Sequence, residues 1–140
     1  MKKLFIQPGA SIKDALRQLS KSGKSCLIVV DDTGKLLGTL TDGDVRRVIL
    51  KGKFLKDNIN NIYEKNPIYL IRGKYSLSQT KDLFLKEGID IIPIIDDIKK
   101  VVDLVFFTDL FKKNNNQQKK FTKSLVIMAG GKGARLEPFT

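Results

Sequence analysis

Two short stretches of this chain hold side chains and glycines at spacings that chemistry can use. In "GTLTDGDVRR", residues 38–47, the hydroxyl of Thr41 and the carboxylate of Asp44 stand three residues apart at the end of an apolar run. Such a pair can hold a polar ligand. It equally suits an N-capping turn, where both residue types are favoured. In "LVIMAGGKGARLEPFT", residues 125–140, the apolar Leu125–Met128 leads into Gly130, Gly131 and Gly133. Glycine amides can approach a phosphate closely because no Cβ intervenes. Arg135 can neutralise phosphate charge, and Lys132 adds to the same field.

The residue inventory narrows the chemistry further. The chain has no histidine and a single cysteine, Cys26. That excludes an internal disulfide and argues against a zinc site or a histidine base, so no metal ligand or catalytic residue is expected here. Cys26 opens the run "CLIVV" and reads as a buried core thiol. Two apparent nucleotide motifs fail on position. "SGKS", 22–25, has Gln18 where a P-loop needs glycine, and it lies between helix and strand, the reverse of the P-loop order. In "GKGARL", Leu136 takes the third glycine position of a dinucleotide fingerprint.

The net charge of +11 raises nucleic acid as a partner, but its distribution argues against one. Residues 112–140 carry +6, much of it in "KKNNNQQKK", which has no apolar periodicity and reads as a linker. The first 111 residues carry +5 from 19 basic and 14 acidic side chains, with no basic helix interleaved with aromatics. No apolar run approaches the roughly 18 residues of a membrane span. "MKKLFIQPGAS" lacks the apolar core of a secretory signal, so the expected location is the cytoplasm, with neither membrane nor nucleic acid as a partner.

The elements that must position Thr41 and Asp44 come from an internal repeat. At a constant shift of 65 residues, Ser11 meets Ser76, Gly23 meets Gly88, Asp31–Asp32 meet Asp96–Asp97, Lys35 meets Lys100, and Asp44 meets Asp109. "CLIVVDD" (26–32) aligns with "IIPIIDD" (91–97), and "LLGTLT" (36–41) with "VVDLVF" (101–106). Ser11 and Ser76 suit helix N-caps, and Gly23 and Gly88 suit the left-handed residue that ends a helix. The apolar runs read as buried strands around the polar turns "DDTGK" and "DDIKK". A second helix begins near Asp42 and again near Thr108, and extended pieces at 3–6 and 68–71 precede the first helices. Each copy is thus β-α-β-β-α. A unit of about 55 residues buries too little surface alone, so the repeat predicts two units packed sheet to sheet about a pseudo-twofold axis.

"GTLTDGDVRR" resembles the strand-end motif of cystathionine-β-synthase (CBS) domains, "DNINNIYEKNPIYLI" (57–71) resembles the opening of a second such domain, and "IIPIIDD" resembles the family's "LPVVD"-like strand. The resemblance covers residues 1–111 and implies a nucleotide sensor. Its cleft would hold an adenosine nucleotide (AMP, ADP or ATP), with Asp44 on the ribose hydroxyls and Thr41 on ribose or phosphate. Thr39, Tyr69, Ile89 and Pro93 would complete the cage. Asp90 and Ile91 stand where the family often carries basic residues beside the phosphates. In the second cleft Asp109 is kept, but Phe106 replaces the threonine and Asp103 the glycine, so that cleft is expected to be closed. The resemblance also implies a homodimer, for which Val48, Ile49, Leu50, Phe84 and Leu85 are the apolar helix residues to cover. With both clefts dead, the pair would be a dimerisation platform only.

The C-terminal stretch resembles the opening signature of sugar-1-phosphate nucleotidyltransferases, with Ala134 where threonine is common. That implies a triphosphate loop of Gly130, Gly131, Lys132, Gly133 and Arg135, with the metal-binding carboxylates for Mg²⁺ and the sugar site beyond Thr140. The chain is then expected to be the non-catalytic N-terminal piece of a guanylyltransferase-like enzyme making an NDP-sugar for surface glycans. The expected fold class is α/β (α+β): CBS repeats at 1–56 and 57–111, a linker at 112–122, and at 123–140 a short stub of a Rossmann-like nucleotidyltransferase domain outside the CBS core.

Overall fold

The computed structural model describes residues 1–115, with side chains through Lys112. The expected stub, with Gly130, Gly131, Lys132, Gly133 and Arg135, lies outside the described residues. The chain divides into two units, Met1–Phe107 and Thr108–Thr140. Both expected sheets fall in the first.

A single 3-10 turn, Lys2–Leu4, leads into β1 (Phe5–Ile6), α1 (Ile12–Ser22), β2 (Cys26–Val30), β3 (Leu36–Thr41) and α2 (Asp42–Leu50). The second copy runs β4 (Leu70–Ile71), α3 (Leu77–Glu87), β5 (Ile91–Ile95), β6 (Val101–Phe106) and α4 (Phe107–Asn115). The extended pieces expected at 3–6 and 68–71 are therefore shorter than read. Lys3 and Leu4 curl into the turn, which tucks Leu4 into the core at 6% exposed. Helix α4 also continues past residue 111, to Asn115.

Local chemistry sets the helix ends as expected. The Ser11 and Ser76 hydroxyls accept from the backbone amides of Asp14 and Gln79, satisfying amides that the first helical turn leaves free. Gly23 and Gly88 both take φ +64°, which a side chain would resist, and their amides bond back to Leu19 and Phe84. Asp31 Oδ1 accepts from the amides of Thr33 and Lys35, and Asp96 Oδ1 accepts from those of Ile98 and Lys100, so the same aspartate-closed turn joins each hairpin. The Thr33 hydroxyl first, then the Lys35 amide, hold the Asp31 carboxyl below its usual range.

Each copy forms a three-stranded sheet, β1-β2-β3 and β4-β5-β6, with the outer strand parallel to the middle one and the hairpin antiparallel. Even the irregularities repeat, as a bulge falls at Val29/Val30 and again at Ile94/Ile95. One register differs. Phe5 pairs with Ile28, whereas its counterpart Leu70 pairs with Ile94 rather than Pro93. Ile71 likewise pairs with Ile95 rather than Ile94, so the whole outer ladder of the second copy is offset by one residue.

The two sheets meet at Lys35 and Lys100. Leu36 N donates to Lys99 O at 2.9 Å and Val101 N donates to Gly34 O at 3.0 Å, a reciprocal pair of rungs that brackets Lys35 and Lys100, themselves 65 positions apart. One apolar core spans both copies, with Leu27, Ile28, Val29, Leu40 and Val45 from the first joined by Ile91, Ile95, Val101 and Leu104 from the second. Phe84, read as surface apolar, is instead 1% exposed and meets Phe107 edge-on at 5.8 Å. It points inward from α3 at the position facing the sheet.

The connection after α2 belongs structurally to the first sheet. Ile12 N bonds to Asp57 O, Ile59 N bonds to Ala10 O, and Thr39 and Glu64 exchange both backbone bonds at 3.1 and 2.8 Å. This segment explains Gly38. A Cβ there would lie 2.1 Å from Glu64 O and 2.4 Å from the Tyr63 ring, a clash that nearby backbone cannot relieve. Asp103, its counterpart, is exposed.

Gly38→Ala should therefore destabilise the protein by about 1–3 kcal/mol, the usual cost of overpacking. Asp103→Ala should stay within about 0.5 kcal/mol. Urea denaturation of the three proteins checks this, and equal losses would show that the crossing segment does not demand the glycine.

Candidate functional site

The end of β3 and the start of α2 form one wall of a cavity of about 680 Å³. Thr39, Thr41, Asp42, Gly43 and Asp44 come from that wall, and Glu87–Ile91, the loop between α3 and β5, form the facing one. Ser25 and Cys26 lie between them, and Glu64 with Asn66–Ile68 completes the lining. Both copies thus contribute to one cleft.

Thr41 and Asp44 do form the capping turn that their types allowed. Thr41 Oγ1 accepts from Asp44 N at 3.1 Å, and Asp44 Oδ2 accepts from Thr41 N at 2.9 Å. Two free helix amides are satisfied reciprocally by this box. Capping does not exhaust the pair: the Thr41 hydroxyl still has its own proton to donate, and each carboxylate oxygen has two lone pairs. Arg47 Nη1 stands 3.4 Å from Asp44 Oδ1. The box fixes the direction of both side chains before any ligand arrives.

Across the cleft, Ser25 Oγ donates to Asp90 Oδ2, so another pair of residues 65 positions apart meets near the pseudo-twofold axis. Cys26, 7% exposed, lies beside this contact. Burial first, then the carboxylates of Asp44 and Asp90, push its thiol up from an ordinary 9.0 to about 12.

Four of the six residues expected around the ligand line this cavity: Thr39, Thr41, Asp44 and Ile89. Tyr69 and Pro93 do not. Tyr69 lines a separate cavity of about 290 Å³ with Leu37, Lys65 and Lys99, and Pro93 is sealed inside β5 opposite Leu104. Pro67 and Ile68 take up the apolar side instead. At the counterpart of Thr41, Phe106 is half-buried with the Lys24 ammonium 4.7 Å from its ring centroid, so side chains fill that position. Asp109 sits in the first turn of α4. Asn66 and Asp42, which sequence reasoning missed, lie beside residues that it named, and only the crossing of the 55–68 segment brings Asn66 in. Among the described residues no group of three His, Cys, Asp or Glu side chains could hold a metal ion. No described helix is long and apolar enough to cross a membrane.

Two like units about a pseudo-twofold axis, with a strand end of one facing a helix–strand loop of the other, make the architecture of a CBS domain pair. Residues 1–51 match the CBS domain family. An uncharacterized protein of Helicobacter pylori (strain ATCC 700392 / 26695) is 30% identical over 108 residues, 77% of this chain and 33% of its own length. The matched part spans about a third of the length of this relative and of its counterpart in a second Helicobacter pylori strain. The crystal structure of CBSX2 in complex with AMP superposes with a TM-score of 0.69 at 19% identity, covering 82% of this chain and 89% of that one. The CBS domain pair of protein MJ0100, in complex with 5-methylthioadenosine and S-adenosyl-L-methionine, gives 0.70 at 24% identity, covering 81% and 89%.

The Cys26 thiol should resist alkylation near pH 8 in the native protein and react only in denaturant, because the thiolate is the nucleophile. Its raised pKa also sets a sign. Between about 9 and 12 the unfolded chain loses this proton while the folded chain keeps it, so stability falls as pH rises through that window. Cys26→Ala should flatten that alkaline slope in pH-resolved urea melts; an unchanged slope would show that the thiol is not held protonated.

Proposed function

We propose that residues 1–111, CBS repeats at 1–56 and 57–111, bind one adenosine ligand per chain at the Thr41/Asp44 cleft and so regulate an attached enzyme. The observation that carries this is the asymmetry of the repeats. One strand end presents Thr41 and Asp44 to an open cavity, whereas its counterpart presents Phe106 under a lysine. The solved relatives with AMP, or with 5-methylthioadenosine and S-adenosyl-L-methionine, support adenosine as the shared part of the ligand. In this reading Asp44 accepts from the ribose hydroxyls, Thr41 and Thr39 line the sugar's path, and Ile89 and Ile68 flank the base. Tyr69 and Pro93 take no part.

The attached enzyme, on the resemblance of residues 123–140, is a sugar-1-phosphate nucleotidyltransferase of the cytoplasm, joined through a linker at 112–122. Its Mg²⁺ and sugar ligands would lie beyond Thr140. A second reading, a homodimerisation platform, draws on Ile49, Leu50 and Leu85, which are 36%, 88% and 64% exposed on the helices. Buried Phe84 no longer contributes to it. A monomeric mass at high micromolar concentration in light scattering would remove this second reading.

Calorimetry tests the first. Asp44→Ala removes charge-assisted hydrogen bonds to the ribose, worth about 1.5–3 kcal/mol each, and should weaken adenosine binding at least tenfold. Asp44→Asn keeps an oxygen to accept from Thr41 N, so it should retain the fold and still lose affinity. Asp109→Ala should leave affinity unchanged. Equal losses at both sites, or two ligands per chain, would overturn the assignment.

A further inference from the structure

The walls of the cleft carry one sign of charge. Asp42, Asp44, Glu64, Glu87 and Asp90 line it, and among the described residues no lysine or arginine does, in a chain with 26 basic and 15 acidic residues. Composition would have favoured the opposite.

Two of these charges have cationic partners. Arg46 Nη2 is 2.8 Å from Asp42, Arg47 Nη1 is 3.4 Å from Asp44, and both arginine side chains are mostly exposed outside the lining. The partners found for Glu64 and Asp90 are neutral: Glu64 Oε1 accepts from the Asn66 amide, and Asp90 from the Ser25 hydroxyl. Glu87 is the last residue of α3, where the helix dipole is itself negative. The field reaches the cleft floor, since the Asp44 and Asp90 charges both help to raise the Cys26 pKa. Among the described residues no three of these acids converge to hold a metal ion.

Resting on the adenosine reading above, we propose that this cleft selects nucleosides whose 5′ substituent is neutral or positively charged, such as a thioether, amine or sulfonium, and discriminates against 5′-phosphates. A phosphate carries up to two negative charges, and placing it among five carboxylates, only two of them paired with arginines, adds repulsion to the loss of its hydration. A cation in the same place gains what the phosphate loses. The 5′ group therefore sets specificity, while Thr41 and Asp44 serve the ribose common to all these ligands.

Calorimetry on the full chain with adenosine, 5′-methylthioadenosine, 5′-amino-5′-deoxyadenosine and AMP, each with and without Mg²⁺, decides the matter. Adenosine should bind at least tenfold tighter than AMP at low salt, and the cationic amine tighter than adenosine. Mg²⁺ should not rescue AMP. Raising the salt should narrow both gaps, because these charges face solvent. The double variant Glu87→Gln/Asp90→Asn should improve AMP several-fold relative to adenosine. If AMP binds as tightly as adenosine or tighter, with or without Mg²⁺, the charge selection is overturned and the adenosine site stands. If none of the four binds, the adenosine reading falls and this proposal with it.

Discussion

The structure depends on the seam at Lys35 and Lys100, where Leu36 and Val101 each donate to the carbonyl of the other copy's turn. A β-α-β-β-α unit of this size has one apolar sheet face and cannot bury it alone. The reciprocal rungs lock the two hairpins antiparallel about a pseudo-twofold axis, and the shared core then closes behind them. Ser25 and Asp90 meet because the same axis brings equivalent positions together. Without that seam neither the core nor the cleft exists, since each draws residues from both copies.

A twofold axis between identical units would make two identical clefts. Small departures from identity break the equivalence. Thr41 becomes Phe106, which stacks under Lys24, and Gly38 becomes Asp103. The second change has a mechanical origin, because the chain crosses β3 at Tyr63 and Glu64 and leaves no room for a side chain at Gly38. That crossing also carries Asn66, Pro67 and Ile68 to the rim of the open cleft. A glycine that looked like a ligand-family signature is thus first a packing requirement.

In the adenosine site proposed above, the capping box would let stability and ligand chemistry share side chains. Thr41 and Asp44 serve the helix amides first, which sets their orientation at a definite free-energy gain. The remaining lone pairs and the hydroxyl proton face a cavity already shaped. The site is preorganised by the same bonds that start α2, so a ligand need not order these side chains itself.

Much of this was legible in the residues. The shift of 65, the serine caps, the left-handed glycines and the strand runs are local signals, and local signals survive in sequence because neighbours in the chain produce them. The contrast between Thr41 and Phe106 at equivalent strand ends was legible for the same reason. The burial of Phe84, the late start of β4, and the absence of Tyr69 and Pro93 from the cleft were not. Each depends on which face of an element meets a partner distant in the chain. The acidic character of the cleft belongs to the same class. Asp42, Glu64, Glu87 and Asp90 are scattered over 48 positions and look like ordinary surface charge in sequence. Only the twofold packing of the sheets brings them onto one cavity, because electrostatic fields add through space rather than along the chain.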